Sequence, residues 1–178
     1  MTDYSTPIRL RWWQAMIASI LCVLLTGCEP AKPESYGAGI TGYNFTSEGV
    51  QEFYVNGQYA SNLPPYGGGG GVVCCINVPA TWRPGLIAKI DWTVGRWTTP
   101  YESRKHLSDD EQIKCCTAHR TLSKTVPIEP YGPEGGDFQV FFLPNDDVKV
   151  WITMYGLGHA KHPSGMSYPK NPNPSPKG

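Results

Sequence analysis

The chain has 178 residues and a balanced charge, with 15 lysines and arginines against 15 aspartates and glutamates. A nucleic-acid-binding protein normally carries a basic excess on one face or in a run, and this sequence has neither. The composition therefore argues against nucleic acid as a partner and fits one domain of ordinary size.

The chain begins with the pattern of a bacterial export signal. Arg9 and Arg11 precede an apolar run over residues 12–25, and small residues follow that run. A membrane-spanning helix needs about 20 predominantly apolar residues, so the run is too short for a stable span. We expect residues 1–27 to be a signal peptide that is removed. The alternatives are an ordinary cleaved signal with a fortuitous cysteine and an uncleaved anchor.

The residues LTGC at 25–28 resemble the lipobox of bacterial lipoproteins. In that class, signal peptidase II cuts before a cysteine whose thiol has been diacylated, so the resemblance makes Cys28 the lipidated first residue of the mature chain. Residue 29 is Glu, whereas an aspartate there most often retains enteric lipoproteins in the inner membrane. The resemblance implies a lipid-anchored envelope protein, on the outer membrane and facing the periplasm.

After the signal, the pattern is one of a tether and then short strands. Residues 28–38 contain prolines, a serine and a glycine between charged residues, which is typical of a tether. Strands are predicted over 39–45, 50–55, 72–76, 86–94, 122–128, 137–143 and 148–155, with a hairpin turn at Asn56-Gly57, a return strand from Tyr59 and a turn over 144–147. Residues 101–111 predict a loop or a short helix, because Ser108 and Glu111 have the spacing of a capping box.

Frequent turns and almost no helical periodicity predict an all-β domain over residues 39–162. We expect a sandwich or barrel-like fold of about seven to nine short strands. Residues 163–178 are rich in proline, serine, asparagine and lysine, so they predict a disordered tail.

Four cysteines form two adjacent pairs, Cys74 with Cys75 and Cys115 with Cys116. In an exported protein an even set predicts disulfide bonds, and four cysteines permit three connectivities. Neighbouring side chains on a strand point to opposite faces, so we expect bonds between the two pairs. A structural zinc site usually needs ligands separated by about two to four residues, and a redox enzyme needs C-x-x-C; adjacent cysteines fit neither pattern.

The sequence shows no arrangement typical of an enzyme or of a metal site. The four histidines are accompanied by no nucleophile elbow, and we expect His159 and His162 to lie at the surface. The acidic stretches 109–111 and 146–147 lack the ligand spacing of a calcium loop and predict solvated turns. The five glycines after Tyr66 lack the Gly-Lys-Ser/Thr ending of a phosphate-binding loop. We therefore expect no catalytic residues, no metal and no cofactor.

The stretch GGGGGVVCCINVPATWRPGLIAKIDWTV, residues 67–94, resembles a family of small Gram-negative lipoproteins catalogued only as a domain of unknown function. Further parts of the resemblance are Gly42-Tyr43-Asn44 with Thr46, Phe53 with Val55-Asn56-Gly57, Phe141 with Leu143-Pro144, and Tyr155-Gly156 before Gly158-His159. Genes of the family often lie beside phospholipase effectors of the type VI secretion system, and such members are viewed as immunity proteins. The resemblance implies a membrane-tethered periplasmic immunity lipoprotein that binds and inhibits a lipase effector. The alternative is a structural or assembly lipoprotein of the cell envelope with no toxin partner.

An inhibitor of that kind needs aromatic anchors on a rigid scaffold. The candidate partner-binding residues are Tyr66, Gly68, Gly69, Trp82, Trp97 and Tyr101. A tryptophan in a small β-domain is more often part of the core than of an interface, so a core position is the alternative for each tryptophan.

Overall fold

The computed structural model describes residues 34–69 and 71–174, which belong to one compact unit. The strands are β1 (Ser35–Asn44), β2 (Gly49–Val55), β3 (Gln58–Leu63), β4 (Val73–Pro79), β5 (Ile87–Trp97), β6 (Thr117–Pro127), β7 (Asp137–Leu143) and β8 (Asp147–Thr153). Two short helices, α1 (Tyr101–Arg104) and α2 (Asp109–Cys116), separate β5 from β6, and a 3-10 turn, Pro144–Asp146, joins β7 to β8. The predicted signal peptide, Cys28 and residues 175–178 lie outside the described residues.

The strands form two four-stranded sheets that pack as a sandwich. The first sheet has the order β4-β1-β7-β8 and is antiparallel except for the parallel pair β1 and β7. The second sheet has the order β3-β2-β5-β6 and is antiparallel throughout. Across the interior, β3 faces β1 and β4, and β6 faces β8, so β4 and β6 occupy opposite edges. The prediction of a small all-β domain is confirmed, and in the described part of the chain it is a sandwich of two sheets, not a closed barrel.

The core lies between the inner faces of the two sheets. On β5, Ala88, Ile90, Trp92 and Val94 point inward and are buried, while the residues between them face outward. Each large side chain that is fully buried, such as Phe53, stabilises the fold by about 2–3 kcal/mol. The alternation that predicted the strands therefore also produces the core.

Both predicted hairpin turns are present, and so is the capping box. Asn56 and Gly57 have φ of 51° and 83°, the left-handed pair that a tight hairpin with this dipeptide requires. Ser108 caps α2, accepting a hydrogen bond from the backbone of Glu111, whose side chain accepts from the backbone of Ser108. The helix then continues through Cys116.

The first strand begins earlier than predicted. β1 starts at Ser35, which pairs with Pro79 of β4, whereas the sequence predicts a tether up to residue 38. The hydroxyl of Tyr36 accepts a hydrogen bond from the backbone of Gly136 at 2.9 Å. These pairings with distant residues order a segment whose local composition predicts flexibility.

The segment that follows β8 covers the outer face of the first sheet. It forms no strand or helix up to residue 174, yet Met166 packs against a cluster of four buried residues, Tyr43, Phe141, Trp151 and Leu157. Tyr168 contacts the ring of Tyr43 edge-on, with 5.6 Å between ring centroids. The structure thus differs from the predicted tail at Met166 and Tyr168, because the exposed apolar side chains of the sheet give these residues a surface on which to pack.

The expected surface position of His162 is wrong. His162 is 4% exposed, and burial lowers its pKa below the usual value. Its Nδ1 accepts a hydrogen bond from the backbone of Ser164, so Nε2 carries the proton and donates to Gln139 at 3.0 Å. Gln139 lies on the outer face of β7, where the C-terminal segment crosses it. His159 is exposed, as expected.

The expected bonds between the two cysteine pairs are also absent from the structure. Cys74 is bonded to Cys75 on β4, and Cys115 is bonded to Cys116 at the end of α2. A disulfide requires Cα atoms within about 7 Å, whereas opposite edges of a four-stranded sheet are separated by three strand spacings of about 4.8 Å. Because the pairs lie at opposite edges, each cysteine bonds to its neighbour.

Within residues 34–69 and 71–174, no helix is both long and apolar enough to cross a membrane.

Candidate functional site

Five of the six predicted partner-binding residues lie at one end of the sandwich. The strand register brings four loops together there: 45–48, 64–72, 98–116 and 144–146. We call this the loop end. Trp82 lies at the other end, half-buried, where its indole nitrogen donates to the carbonyl of Ile128 at 3.0 Å. Its position favours a structural role.

Two glycines of the 64–72 loop, Gly68 and Gly69, lie against β1. The backbone of Gly69 donates to the carbonyl of Gly42 at 2.9 Å, and Gly68 forms a β-bridge with Tyr43. A Cβ atom on Gly68 would lie 2.2 Å from the oxygen of Gly42, and the φ of Gly68 is 137°. Only glycine fits such a close backbone approach. Glycine at position 68 is therefore a packing requirement of this loop.

Asn44, at the end of β1, connects two of these loops through its side chain. It is fully buried, and its side-chain nitrogen donates to the carbonyls of Glu48 and Pro64 at 2.7 and 3.0 Å. Its side-chain oxygen accepts from the backbone and the hydroxyl of Thr46. One buried amide thus joins the 45–48 loop to the 64–72 loop. The two sequence motifs around Asn44 and the glycine run meet at this point.

A cleft of about 340 Å³ opens between the two sheets at the loop end. Its apolar walls are supplied by Phe45, Tyr66, Trp92, Val94, Phe142 and Leu143. Three of the four non-glycine residues with positive φ in the described part of the chain line it: Tyr66, Asn145 and Asp146. Such backbone conformations persist where the surrounding structure fixes them, and they cluster at functional sites.

Arg120 links the two sheets at this cleft. Its Nη1 and Nη2 donate to the two carboxylate oxygens of Asp146 at 2.7 and 2.8 Å, and Nη2 also donates to Glu48 at 2.7 Å. Nε of Arg96 lies 3.7 Å from the other oxygen of Glu48. Lys124 pairs with Asp147 at 2.6 Å. Carboxylates therefore match the positive charges around this cleft.

These ion pairs shift the acidities of their members. Hydrogen bonds from Arg120 lower the pKa of Asp146 below its usual value, and Lys124 lowers the pKa of Asp147. Asp146 and Glu48 raise the pKa of Arg120. Both aspartates consequently stay ionised to lower pH than a free aspartate does.

A second feature of the loop end is formed by Trp97, Tyr101 and Arg104, which we call the aromatic notch. Trp97 is 48% exposed and Tyr101 is 60% exposed, whereas Arg104 between them is only 8% exposed. The guanidinium carbon of Arg104 lies 3.6 Å from the ring centroid of Trp97 and 5.3 Å from that of Tyr101. Two exposed aromatic rings are thus held in place by one buried cation.

The hydrogen bonds of Arg104 go to neutral groups. Nη1 donates to the side-chain oxygen of Gln112 at 2.7 Å, and Nε donates to the carbonyl of Thr99 at 3.4 Å. Gln112 is itself buried and donates to the carbonyl of Leu107 at 2.9 Å. The described residues place no carboxylate within 4.0 Å of Arg104.

A family model described as "Protein of unknown function (DUF3304)" matches residues 43–150, more than half of the chain. The chain belongs to this family. No curated protein and no solved structure matches it. All four loops of the loop end lie inside the part that matches DUF3304, whereas the C-terminal segment with His162 lies outside it.

The sequence predictions for this DUF3304 protein include Trp97 and Tyr101 of the loop end, but they include neither Arg104 nor the ion pairs at the cleft. Arg104 follows Tyr101 by three residues, a spacing that places both side chains on one face once a helix is assumed there, and it follows Trp97 by seven residues. Glu48, Arg120 and Asp146 come from three separate loops or strands, so no local spacing relates them.

Two histidines of the described residues lie 2.8 Å from a hydroxyl oxygen, His119 from that of Thr117 and His162 from that of Ser164. Nε2 of His119 lies 2.8 Å from the hydroxyl of Thr117, but that hydroxyl donates to the carbonyl of Ile113 and so accepts from the histidine. In the described part of this DUF3304 domain, no three acidic, histidine or cysteine residues converge as metal ligands.

Proposed function

We propose that this protein is a lipid-anchored periplasmic immunity protein that binds and inhibits a lipase effector of the type VI secretion system through the loop end. The observation that carries the proposal is the aromatic notch, in which two exposed rings are fixed by a buried arginine. The effector class comes from the family resemblance that the sequence motifs support.

The composition and rigidity of the notch are those of a protein-binding hot spot. Tryptophan, tyrosine and arginine are the residues most enriched among the few that contribute most of the binding energy at interfaces. Arg104 stacks on Trp97 and is fixed by Gln112, so the rings lose little conformational freedom when a partner binds. A side chain that is already ordered contributes more of its contact energy to affinity.

The direction of β1 is compatible with an anchor at Cys28. β1 enters the sandwich at Ser35, at the end opposite the loop end, and six residues separate Cys28 from Ser35. Six extended residues span at most about 22 Å. An anchor at Cys28 therefore holds the far end near the membrane and leaves the loop end free for a partner. Tethering also raises the local concentration of an inhibitor on the membrane that a lipase attacks.

The test uses a lipase encoded beside this gene, which is where the family resemblance leads us to expect the effector. Cells that send this lipase to the periplasm are expected to survive when they also make the wild-type chain, and the chain is expected to capture the lipase in a pull-down. A variant with Trp97→Ala and Tyr101→Ala should lose both protection and capture.

The matched control is Tyr59→Ala, which removes an aromatic ring of similar exposure (46%) from β3, away from the loop end. This variant should protect like the wild type. Lack of capture and protection by the wild-type chain would refute the proposal. Envelope damage after loss of the gene in cells without any lipase would instead favour the structural lipoprotein.

The anchor has its own measurement. Wild-type chain from cells fed labelled palmitate should carry the label, and Cys28→Ser should not. Label in the Cys28→Ser variant, or no label in either, contradicts the lipoprotein assignment.

A further inference from the structure

We infer that Arg104 is the receptor for an acidic side chain of the partner protein, whose carboxylate enters the notch between Trp97 and Tyr101. The inference rests on the proposed function, because it names the chemistry of the partner at the same loop end.

The first argument is the unmatched charge of Arg104. A buried cation is normally paired with an anion, since the loss of hydration is otherwise uncompensated. Arg104 is buried, yet its partners in the structure are a side-chain amide and a backbone carbonyl. These neutral groups orient the guanidinium without neutralising it.

The second argument is that one edge of the guanidinium is open. Nη2 of Arg104 has no hydrogen-bond partner among the described residues, but it is not among the buried side-chain atoms without a partner. The atom is therefore not completely enclosed by the described residues. The hydroxyl of Thr99, the residue whose carbonyl accepts from Nε of Arg104, is the one side-chain N or O atom of residues 34–69 and 71–174 that is buried with no partner. Polar groups at this position are thus incompletely satisfied in the free protein.

The third argument is that neighbouring carboxylates are already engaged. Glu102 pairs with Lys105 within α1, and Glu111 accepts hydrogen bonds from the backbone and hydroxyl of Ser108 at the start of α2. Neither is within 4.0 Å of Arg104. No carboxylate of the described residues neutralises Arg104, and we therefore assign the anion to a second molecule.

The rings that flank Arg104 favour a protein side chain as its source. A carboxylate that binds Nη2 is shielded from water by the indole and phenol rings, which strengthens a charge-assisted hydrogen bond. The same rings offer apolar contact to the residues around the acid in a protein partner. Arg120, by contrast, already holds two carboxylates.

The first experiment needs no partner protein. The full chain, labelled with ¹⁵N, is titrated with glutarate, and NMR follows the side-chain N–H signals of its arginines. Each side-chain signal is first assigned to its residue by correlation with the backbone amide signal of the same arginine. The Arg104 signal should shift saturably with glutarate and not with sodium chloride at the same ionic strength. Arg120 is the internal control, because its carboxylate sites are filled. Absence of a selective Arg104 shift overturns the inference, and so does an equal or larger shift with inorganic phosphate, which would make phosphate the ligand.

The second experiment uses the neighbouring lipase and separates the two proposals. Arg104→Gln should weaken capture of the lipase roughly thirtyfold or more, as expected for the loss of a buried charged pair at an interface. Arg96→Gln, which removes an exposed arginine from the same end, should weaken capture much less. If the wild-type chain does not capture the lipase, the proposed function fails while the glutarate shift still decides the role of Arg104. Capture that is equally strong with Arg104→Gln overturns the inference and leaves the proposed function standing.

Discussion

Two arginines at the same end of the molecule have opposite environments. Arg120 is largely exposed and makes three short hydrogen bonds to two carboxylates, whereas Arg104 is buried and makes hydrogen bonds to neutral groups alone. Arg120 joins the two sheets, and Arg104 joins a helix to a strand end. Sequence alone does not distinguish them, because each is a single arginine among polar residues.

The different environments of the two arginines suggest different roles, structural for Arg120 and partner binding for Arg104. The charge of Arg120 is already satisfied within the chain, so a partner gains little by approaching it. The charge of Arg104 is oriented by the fold but left without an anion. An arginine prepared in this way favours recognition, and the number of ion pairs that a residue makes is a poor guide to its function.

The largest expected effect comes from replacing Asn44, which holds the loop that carries Glu48, a partner of Arg120. Asn44→Ala removes the fully buried amide that donates to the carbonyls of Glu48 and Pro64 and accepts from the backbone and hydroxyl of Thr46. We expect the free energy of unfolding to fall by about 3 kcal/mol. Urea denaturation followed by tryptophan fluorescence measures the loss.

The control for this change is Asn62→Ala, an exposed asparagine on β3. It should alter the free energy of unfolding by less than about 0.5 kcal/mol. Equal effects of the two substitutions would show that Asn44 does not organise the loops.

The second prediction compares the arginines directly. Arg104→Gln removes a buried cation–π contact and a hydrogen bond to Gln112, and should cost about 1–2 kcal/mol. Arg120→Gln removes more hydrogen bonds, but they are exposed and screened, so it should cost less than about 1 kcal/mol. The same denaturation assay ranks the two variants. A larger loss for Arg120→Gln would reverse the distinction drawn between them.

The smallest expected effect is a pH dependence of the stability that Arg120 contributes, which we do not expect for Arg104. Because Arg120 lowers the pKa of Asp146, the pair stabilises the fold above the unfolded pKa of aspartate, about 3.9, and this contribution is lost as pH falls through the lower folded pKa. The difference in stability between wild type and Arg120→Gln should therefore shrink below about pH 4.

Arg104→Gln is the matched comparison for that measurement. Gln112 and Thr99 do not titrate, so its difference from wild type should stay constant over the same range. Both variants retain His162, whose titration cancels in each difference. A constant difference for Arg120→Gln from neutral pH to pH 3 would show that its ion pair contributes nothing to stability.

Much of the fold was predictable because the strands alternate. Buried positions on β5 follow one another at every second residue, and the Asn56-Gly57 turn needs only local chemistry. The errors concern long-range partners. Ser35 is ordered by Pro79, and His162 is buried by the outer face of β7, so neither position can be inferred from its neighbours in sequence.

The candidate site was predictable only in part, because many of its contacts also join residues far apart in sequence. Trp97 and Tyr101 were identified as rings suited to an interface, and their exposure is consistent with that prediction. The roles of Gly68 and Asn44 depend on where the glycine loop meets β1, and that of Arg104 depends on Gln112. Contacts between loops far apart in sequence follow from the sandwich topology, which periodicity alone does not specify.

The adjacent disulfides have a consequence for where the stability of the domain originates. A cross-link restricts the unfolded chain in proportion to the logarithm of the loop that it closes, and a bond between neighbouring residues closes almost no loop. The bonds therefore leave the unfolded ensemble nearly as free as that of a reduced chain, and they tie neither edge of the sandwich to the other. The fold of this domain therefore depends on its buried side chains, and its two disulfides stiffen two short segments.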